Sequence, residues 1–509
     1  MYPFDHVRAL LERGRAEDPA IAAPGRRALT YAGLRELVGR TVADLNRMGI
    51  GRGDRVAIVL PNGPEAAASF VAIAAGATTA PLNPAYRREE FEFYLTDLRA
   101  KALAIKAGME SPARAVAAAL GIPLLEVVAD EDGPAGSFIL VPPQPIEAAP
   151  DQGGYAGAAD IALVLHTSGT TSRPKIVPLS HVNITATAHH VAQSLALTRA
   201  DVCLNIMPLF HIHGLMAAVL SSFGAGASVC CTPGFNAFKF FGWFAEAKPT
   251  WYTAVPTMHQ AILDLAPRNE AIIKAGRLRL IRSSSASLPP QVMEALEATF
   301  GAPVIESYGM TEAAHQMASN PLPPGRRFPG SVGLAAGPEI AIMADDGTLL
   351  APMQPGEVVI RGRDVTGGYE NNPEANAKAF TNGWFRTGDE GFLDDAGYLR
   401  LSGRLKEIIN RGGEKVSPLE VDVVLMDHPA VAQVVTFAVP HPKLGEEVAA
   451  AVVLREGAAA TEHELRDFAA VRLANFKVPR KILFLQEIPK GPTGKMQRIG
   501  LAARLGLGG

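Results

Sequence analysis

Cysteine is scarce in this sequence: Cys203, Cys230 and Cys231 are all it has among 509 residues. An odd count spread so thinly excludes a disulfide-stapled scaffold and points to a reducing, cytoplasmic compartment. Charge imbalance is also lacking, with 48 Lys and Arg against 51 Asp and Glu and no basic block, so nucleic acid is not an expected partner. Residues 1–15 include Asp5, Arg8, Glu12 and Arg13, which break any signal-peptide core. The final residues, Leu505-Gly506-Leu507-Gly508-Gly509, do not form a peroxisomal tripeptide. The P-loop pattern G-x-x-x-x-G-K-[ST] is missing, which excludes a Walker-type nucleotide site. From Val202 to Phe238 there is no Lys, Arg, Asp or Glu, a run long enough to span a bilayer. Pro208, His211, His213, Gly214, Gly224, Gly226 and Pro233 interrupt it, however. It reads as a buried helix and strand pair in a large core.

What is present is a globular composition, 48% hydrophobic and 19% charged, in a chain too long for one core. Thr30 reads as the cap of an amphipathic helix from Tyr31 to about Met48. Arg55 to Leu60 and Ala77 to Pro81 read as strands around an Ala-rich helix, Pro64 to Ala75. That alternation predicts a parallel, doubly wound sheet. Residues 141–159, rich in Pro and Gly, read as a loop. Ser180 caps a helix to about Leu197. Strands are expected at 202–206, 227–231, 250–254 and 278–282, with helices at 214–223, 257–265 and 289–299. From about 330, short β-like runs at 340–343, 357–361 and 398–402 predict a small β-rich subdomain. The last hundred or so residues hold a helix (417–426), strands (432–438, 447–454, 481–485) and a second helix (461–474). The fold class expected is therefore α/β: a large N-terminal domain, residues 1–403, of doubly wound sheets plus a β-rich subdomain, and a smaller α+β domain, residues 404–509.

One polar stretch stands out. His166-Thr167-Ser168-Gly169-Thr170-Thr171-Ser172-Arg173-Pro174-Lys175 follows an apolar strand, Ile161 to Leu165. Hydroxyls, backbone N–H groups and cations of this kind suit phosphate oxygens. An ordinary Ser/Thr-rich surface turn fits the composition equally well.

The motifs that follow decide between them. TSGTTSRPK at 167–175, PLFHIHG at 208–214, ESYGMTE at 306–312, WFRTGD at 384–389, GRLKEIINRGGEKVSPLEVD at 403–422 and PKGPTGKMQR at 489–498 occur in that order. Together they resemble the adenylate-forming superfamily of acyl-CoA synthetases, adenylation domains and luciferases. The resemblance implies ATP, Mg²⁺ and coenzyme A, and a carboxylate that attacks the α-phosphorus of ATP. It assigns the β- and γ-phosphates to Thr167, Ser168, Gly169, Thr170, Thr171 and Lys175, and the α-phosphate to Thr311. Glu312 would hold Mg²⁺, Tyr308 would lie on the adenine, and Asp389 and Arg404 would meet the ribose. Lys495 would bridge the carboxylate and α-phosphate during adenylation. The smaller domain would then rotate about Lys406, and Gly412 and Gly413 would help line the pantetheine channel. His211 would be a gate.

The acid is read from the loop Ser283-Ser284-Ser285-Ala286-Ser287-Leu288, which in many members of that superfamily looks like S-G-A-A-P-L. Ser284 and Ser285 narrow the pocket and add donors there, and His315 is a third candidate. Such donors suit a small, very polar acid with a second carboxylate. Ser172, Arg173 and the run MTEAAHQMASNPLPPG at 310–325 are similar to the branch that joins oxalate to CoA. Ile176, where most relatives carry Gly, departs from the pattern. Malonate, 4-coumarate and a carrier protein as acyl acceptor are the alternatives.

Overall fold

The computed structural model describes residues 4–142, 144, 148–167, 174–489 and 498–507. Among them the strands form four sheets. A seven-stranded sheet runs in the order 138–141, 124–129, 102–106, 55–59, 78–81, 161–167 and 175–180. It is parallel except at its two edges, where Leu124–Ala129 pairs with Phe138–Val141 and Ile161–Thr167 with Lys175–Ser180, both antiparallel. A nine-stranded sheet has a parallel centre: Pro19–Ala23, Ser228–Cys231, Val202–Asn205, Trp251–Ala254, Leu280–Ser283 and Val304–Met310. His315–Ser319 then returns antiparallel to Val304–Met310. The doubly wound expectation holds for both sheets. Their central strands, such as Arg55–Val59, Thr78–Pro81, Ser228–Cys231 and Trp251–Ala254, are buried on both faces, which is why they read as largely apolar runs.

Local signals set most boundaries. Thr30 Oγ1 accepts the Gly33 N–H and starts Tyr31–Arg47. Pro64 opens Pro64–Ala74, where its missing N–H costs nothing. Ser180 and Asn183 form a reciprocal cap at His181–Ser194. The uncharged run folds as strand, helix and strand, and among the described residues no helix is long and apolar enough to cross a membrane.

One expectation is corrected. Residues 213–220 form a π-helix, followed by a short α-helix, Ser221–Ala225, in place of one α-helix. The Ser221 hydroxyl donates to the Ala217 carbonyl at 2.5 Å, and the Ser221 N–H reaches past it to Met216. The side chain takes the acceptor that an α-helix would use, and the turn widens. Gly214 is required here: a Cβ would lie 2.4 Å from the Pro208 carbonyl oxygen.

The β-rich region forms its own sheet, in which Trp384–Leu393 pairs with Gly356–Arg361 and Leu399–Arg404. Beyond it, Ile409, Val421, Leu425, Val431, Val448 and Leu465 form a core separate from those of the preceding sheets. Arg498 meets Glu407 at 3.3 Å and Asp422 at 2.8 Å, tying the final segment to the connection 405–408.

Glu306, inside one of the sequence motifs, is structural. It is buried on the face of the nine-stranded sheet that packs against Phe240, Tyr252 and Leu296. One carboxylate oxygen accepts the Leu288 N–H at 2.8 Å, while the other has no hydrogen-bond partner among the described residues. Burial pushes its pKa up to about 8. A raised folded pKa favours the fold most below the unfolded value of 4.5, and that stability is lost as pH rises through about 8. Glu306→Gln is therefore expected to gain on the wild type by on the order of 1 kcal/mol per pH unit across that window. Urea unfolding of both proteins over that range checks it, and parallel pH profiles would contradict it.

Candidate active site

The candidate residues gather at the carboxyl ends of the parallel strands, where open α/β sheets bind ligands. The loop bearing Ser284 and Ser285 follows Leu280–Ser283, and His213 follows Val202–Asn205. Thr253 lies near the end of Trp251–Ala254. Strand Val304–Met310 carries Tyr308 and runs into a turn of 3₁₀ helix, Thr311–Ala313, with Thr311 and Glu312. His315 begins the returning strand.

Two side chains of this group sit on strained backbone. Ser285 has φ 73° and His315 has φ 115°, values that residues with a Cβ adopt only when the surroundings force them. The His315 segment is pressed onto Gly309, whose Cβ, were it present, would lie 1.6 Å from the His315 carbonyl oxygen. Glycine is what lets the hairpin close.

Behind Ser285 lies a buried polar cluster. His213 Nδ1 is 2.9 Å from Ser285 Oγ, and His213 Nε2 is 2.6 Å from Thr253 Oγ1. The His213 ring stacks on His315, with centroids 5.0 Å apart and planes 25° apart. Arg282 reaches the same place from within its strand. Its NH1 is 3.4 Å from both His213 Nε2 and Thr253 Oγ1, and its NH2 donates to Gln316 Oε1 at 3.2 Å. Gln316 is held in turn by Ser194 Oγ and the Ala336 carbonyl. Arg282 is fully buried, which lowers its pKa to about 9, so it remains cationic at neutral pH.

Ser284 was expected to donate to the acid. Its hydroxyl instead donates to the Ser307 carbonyl at 2.9 Å, so its proton is committed to holding the two strand ends together. Ser285, half-buried at the edge of the cluster, is the hydroxyl that remains. His211 is half-buried and packs on Phe210, with ring centroids 4.6 Å apart.

A second group forms on the other side of the hairpin. The Tyr308 hydroxyl donates to Asp389, which faces Arg404 across the ladder and lies 3.5 Å from its guanidinium. Burial holds the Asp389 carboxyl above its ordinary range, against the pull of Arg404 and the Tyr308 hydrogen bond. Glu312 is buried and likewise raised by burial, while its Oε1 accepts the Tyr369 hydroxyl at 2.8 Å. Lys175 Nζ lies 4.2 Å from the centre of the Tyr369 ring. Thr167 and Lys175 are register partners at the end of the hairpin where the chain passes from one strand to the other. His166 points elsewhere: its Nε2 is 2.9 Å from Asp97.

A Mg²⁺ ion keeps most of its shell for water and phosphate and takes one or two carboxylates. Glu312 fits that demand as a single carboxylate, joined through Tyr369 to Lys175 at the hairpin of 161–180. No cluster of three or more acidic, His or Cys ligands occurs among the described residues. Gly412 and Gly413, with φ 61° and 96°, make the turn between Ile409–Arg411 and Glu414–Val416. A Cβ on Gly412 would meet Leu444 at 2.9 Å. Lys406 is exposed in the connection after Leu399–Arg404. Ser168, Gly169, Thr170, Thr171 and Lys495 lie outside the described residues.

Sequence reasoning missed Arg282, Thr253 and Tyr369, and it passed over His213. A signal existed for Arg282, since an arginine inside the apolar strand run Leu280-Ile281-Arg282 is rare unless something uses it. Tyr369, alone in a Gly-Gly-Tyr loop, carried none.

The AMP-binding enzyme model matches residues 10–370, and the AMP-binding enzyme C-terminal domain model matches residues 420–495. The chain belongs to the AMP-binding enzyme family. It is 45% identical to an oxalate–CoA ligase of Arabidopsis thaliana, with 97% of each chain covered. It is 47% identical to a probable CoA ligase of Humulus lupulus, over 97% of this chain and 95% of the other. Among solved structures, ATP-bound MatB from Rhodopseudomonas palustris superposes with a TM-score of 0.87 at 29% identity, covering 98% of both chains. The chain is thus an ATP-dependent CoA ligase by family, as its motifs implied.

Gly309 gives a direct check on this geometry. Gly309→Ala must displace the His315 backbone, and overpacking of this kind costs about 1–3 kcal/mol. A lower melting temperature together with a higher KM for the acid is expected. An alanine variant with unchanged stability and kinetics would refute the fit.

Proposed function

We propose that this chain is an ATP- and Mg²⁺-dependent, AMP-forming oxalate–CoA ligase of the cytoplasm. The observation that carries the choice of acid is the polar cluster of Ser285, His213, His315 and Arg282. An apolar tail would press hydrocarbon against this polar, cationic cluster, whereas a second carboxylate can accept from its edge and offset its charge. The 45% identity to an oxalate–CoA ligase supports the same reading.

In the first step one oxalate oxygen attacks the α-phosphorus of ATP, and pyrophosphate leaves with the bonding electron pair. Ser285, oriented by His213 behind it, and His315 hold the other carboxylate, so the attacking oxygen is presented in one orientation. Tyr308 covers the adenine, and Asp389 accepts from the ribose hydroxyls. Thr167 and Lys175 ground the phosphate-binding loop, to which Ser168, Gly169, Thr170 and Thr171 belong by motif. Thr311 donates to the α-phosphate. Glu312, positioned by Tyr369, is the residue that would hold Mg²⁺, and the ion would offset phosphate charge. Lys495 bridges the two anions by motif. In the second step the CoA thiol sulfur attacks the acyl carbon, its proton is lost, and AMP leaves. Residues 404–509 form the mobile domain, which turns about Lys406 between steps. Arg404, at the ribose, ends the last strand before that connection, and Gly412-Gly413 comes to line the thiol channel. His211 gates that channel.

Pyrophosphate release with a panel of acids, with and without CoA, tests the substrate. Turnover is expected with oxalate, and the reading falls if oxalate is inert while malonate or 4-coumarate reacts. Lys495→Ala is expected to lower adenylation by about 10²-fold or more while sparing thioester formation from preformed oxalyl-AMP. Equal loss of both steps would contradict the two-orientation account.

A further inference from the structure

Arg282 poses the sharpest unanswered question in the fold. It is buried inside a parallel sheet, and among the described residues it has no carboxylate partner. Glu306, on the adjacent strand, pairs in register with Ser283 and so occupies the opposite face. The cation is therefore left to whatever lies beyond His213 and Ser285.

The donors and acceptors around it have a direction. A guanidinium only donates. Thr253 Oγ1, 3.4 Å from NH1, therefore accepts from it, and the cation beside His213 Nε2, also 3.4 Å away, disfavours a proton on that nitrogen. Thr253 then has its own proton for His213 Nε2, 2.6 Å away. With Nε2 accepting, a neutral His213 carries its proton on Nδ1 and donates it to Ser285 Oγ at 2.9 Å. The Ser285 proton is thereby released to point away from His213, toward an acceptor at the half-buried edge of the cluster. With the opposite tautomer, Ser285 would donate to Nδ1 and present only lone pairs, which repel a carboxylate.

We propose that Arg282 is the specificity-determining positioning residue for the acid's second carboxylate. Through Thr253 and His213 it sets Ser285 as a proton donor toward the acid, and it supplies the buried positive charge that an anionic head group offsets. This inference rests on the reading of the acid site given above. It adds that the site selects a charged distal group over a neutral one of the same shape.

Oxamate and malonamate replace that group with an amide in oxalate and malonate. The wild type is expected to favour oxalate over oxamate by about 10²-fold in kcat/KM, a gap of the size charge-assisted bonds provide. Arg282→Met should cut that ratio about tenfold or more and raise the oxalate KM, with the ATP KM within about twofold of wild type. Arg282→Lys should restore part of the ratio, because it returns the charge without the fork. Thr253→Val keeps the charge and breaks the relay, so it too should raise the oxalate KM. Melting temperatures report whether each variant is folded. If Arg282→Met does not fold, Thr253→Val and Arg282→Lys decide: wild-type oxalate KM and wild-type ratio in both would overturn the proposal. So would a folded Arg282→Met with the wild-type ratio, or a wild type that accepts oxamate as readily as oxalate. A wild type active on malonate but not oxalate refutes only the substrate named above, and the malonate-to-malonamate ratio then decides on Arg282.

Discussion

Arg282 is a fully buried cation that meets no carboxylate among the described residues. Desolvating a guanidinium inside a parallel sheet is unfavourable, and here only neutral acceptors among the described residues repay it: Thr253, His213 and the Gln316 amide oxygen. Each of these must be held in place for the cation to be tolerated. Gln316 is fixed by Ser194 and Ala336, and His213 opens the π-helix inside the uncharged run. The strained backbone of Ser285 and His315 belongs to the same arrangement, since both side chains contact His213. Stability is lower than an apolar core would give, and the cluster makes sense where a charged ligand completes it.

The nucleotide side is built by a different means, through contacts between sheets. Tyr308 rises from the nine-stranded sheet to Asp389 in the β-rich sheet, and Asp389 faces Arg404 across a ladder. Lys175 comes from the seven-stranded sheet and rests on Tyr369, whose hydroxyl reaches Glu312. Raised carboxyl pKa values at Asp389 and Glu312 reflect burial ahead of any ligand. Hydroxyl donors or a metal ion are the kinds of partner that would favour the charged forms.

Much of this was legible from residue patterns, and the exceptions have physical causes. Buried parallel strands such as Arg55–Val59 and Leu280–Ser283 announce themselves as apolar runs, and Thr30 and Ser180 mark helix starts by their own hydrogen bonds. The motifs at 306–312 and 384–389 were legible because each is a short contiguous run, although Tyr308 and Asp389 meet only through the fold. The π-helix was not legible, because it depends on which acceptor the Ser221 hydroxyl takes. His315 as the start of a strand was not legible either. Its φ of 115° is imposed by the contact with Gly309, six residues earlier in the sequence but adjacent in the hairpin. Ser284 and Ser285 are alike as letters, and only the Ser307 carbonyl separates their roles.

The hairpin from Val304 to Ser319 joins the two halves. It carries Tyr308, Thr311 and Glu312 on its first arm and turn, and His315 and Gln316 on its second. The two groups of side chains are therefore fixed to each other by a ladder that the absent Cβ of Gly309 allows to close. Two anions that repel one another need that rigidity more than they need additional affinity, because the gain comes from orientation. A pocket that merely bound both would leave the attacking oxygen free to turn. On the proposed reading, a distal carboxylate held at Ser285 and phosphates held by the same hairpin would leave the attacking oxygen little freedom except along the line to phosphorus.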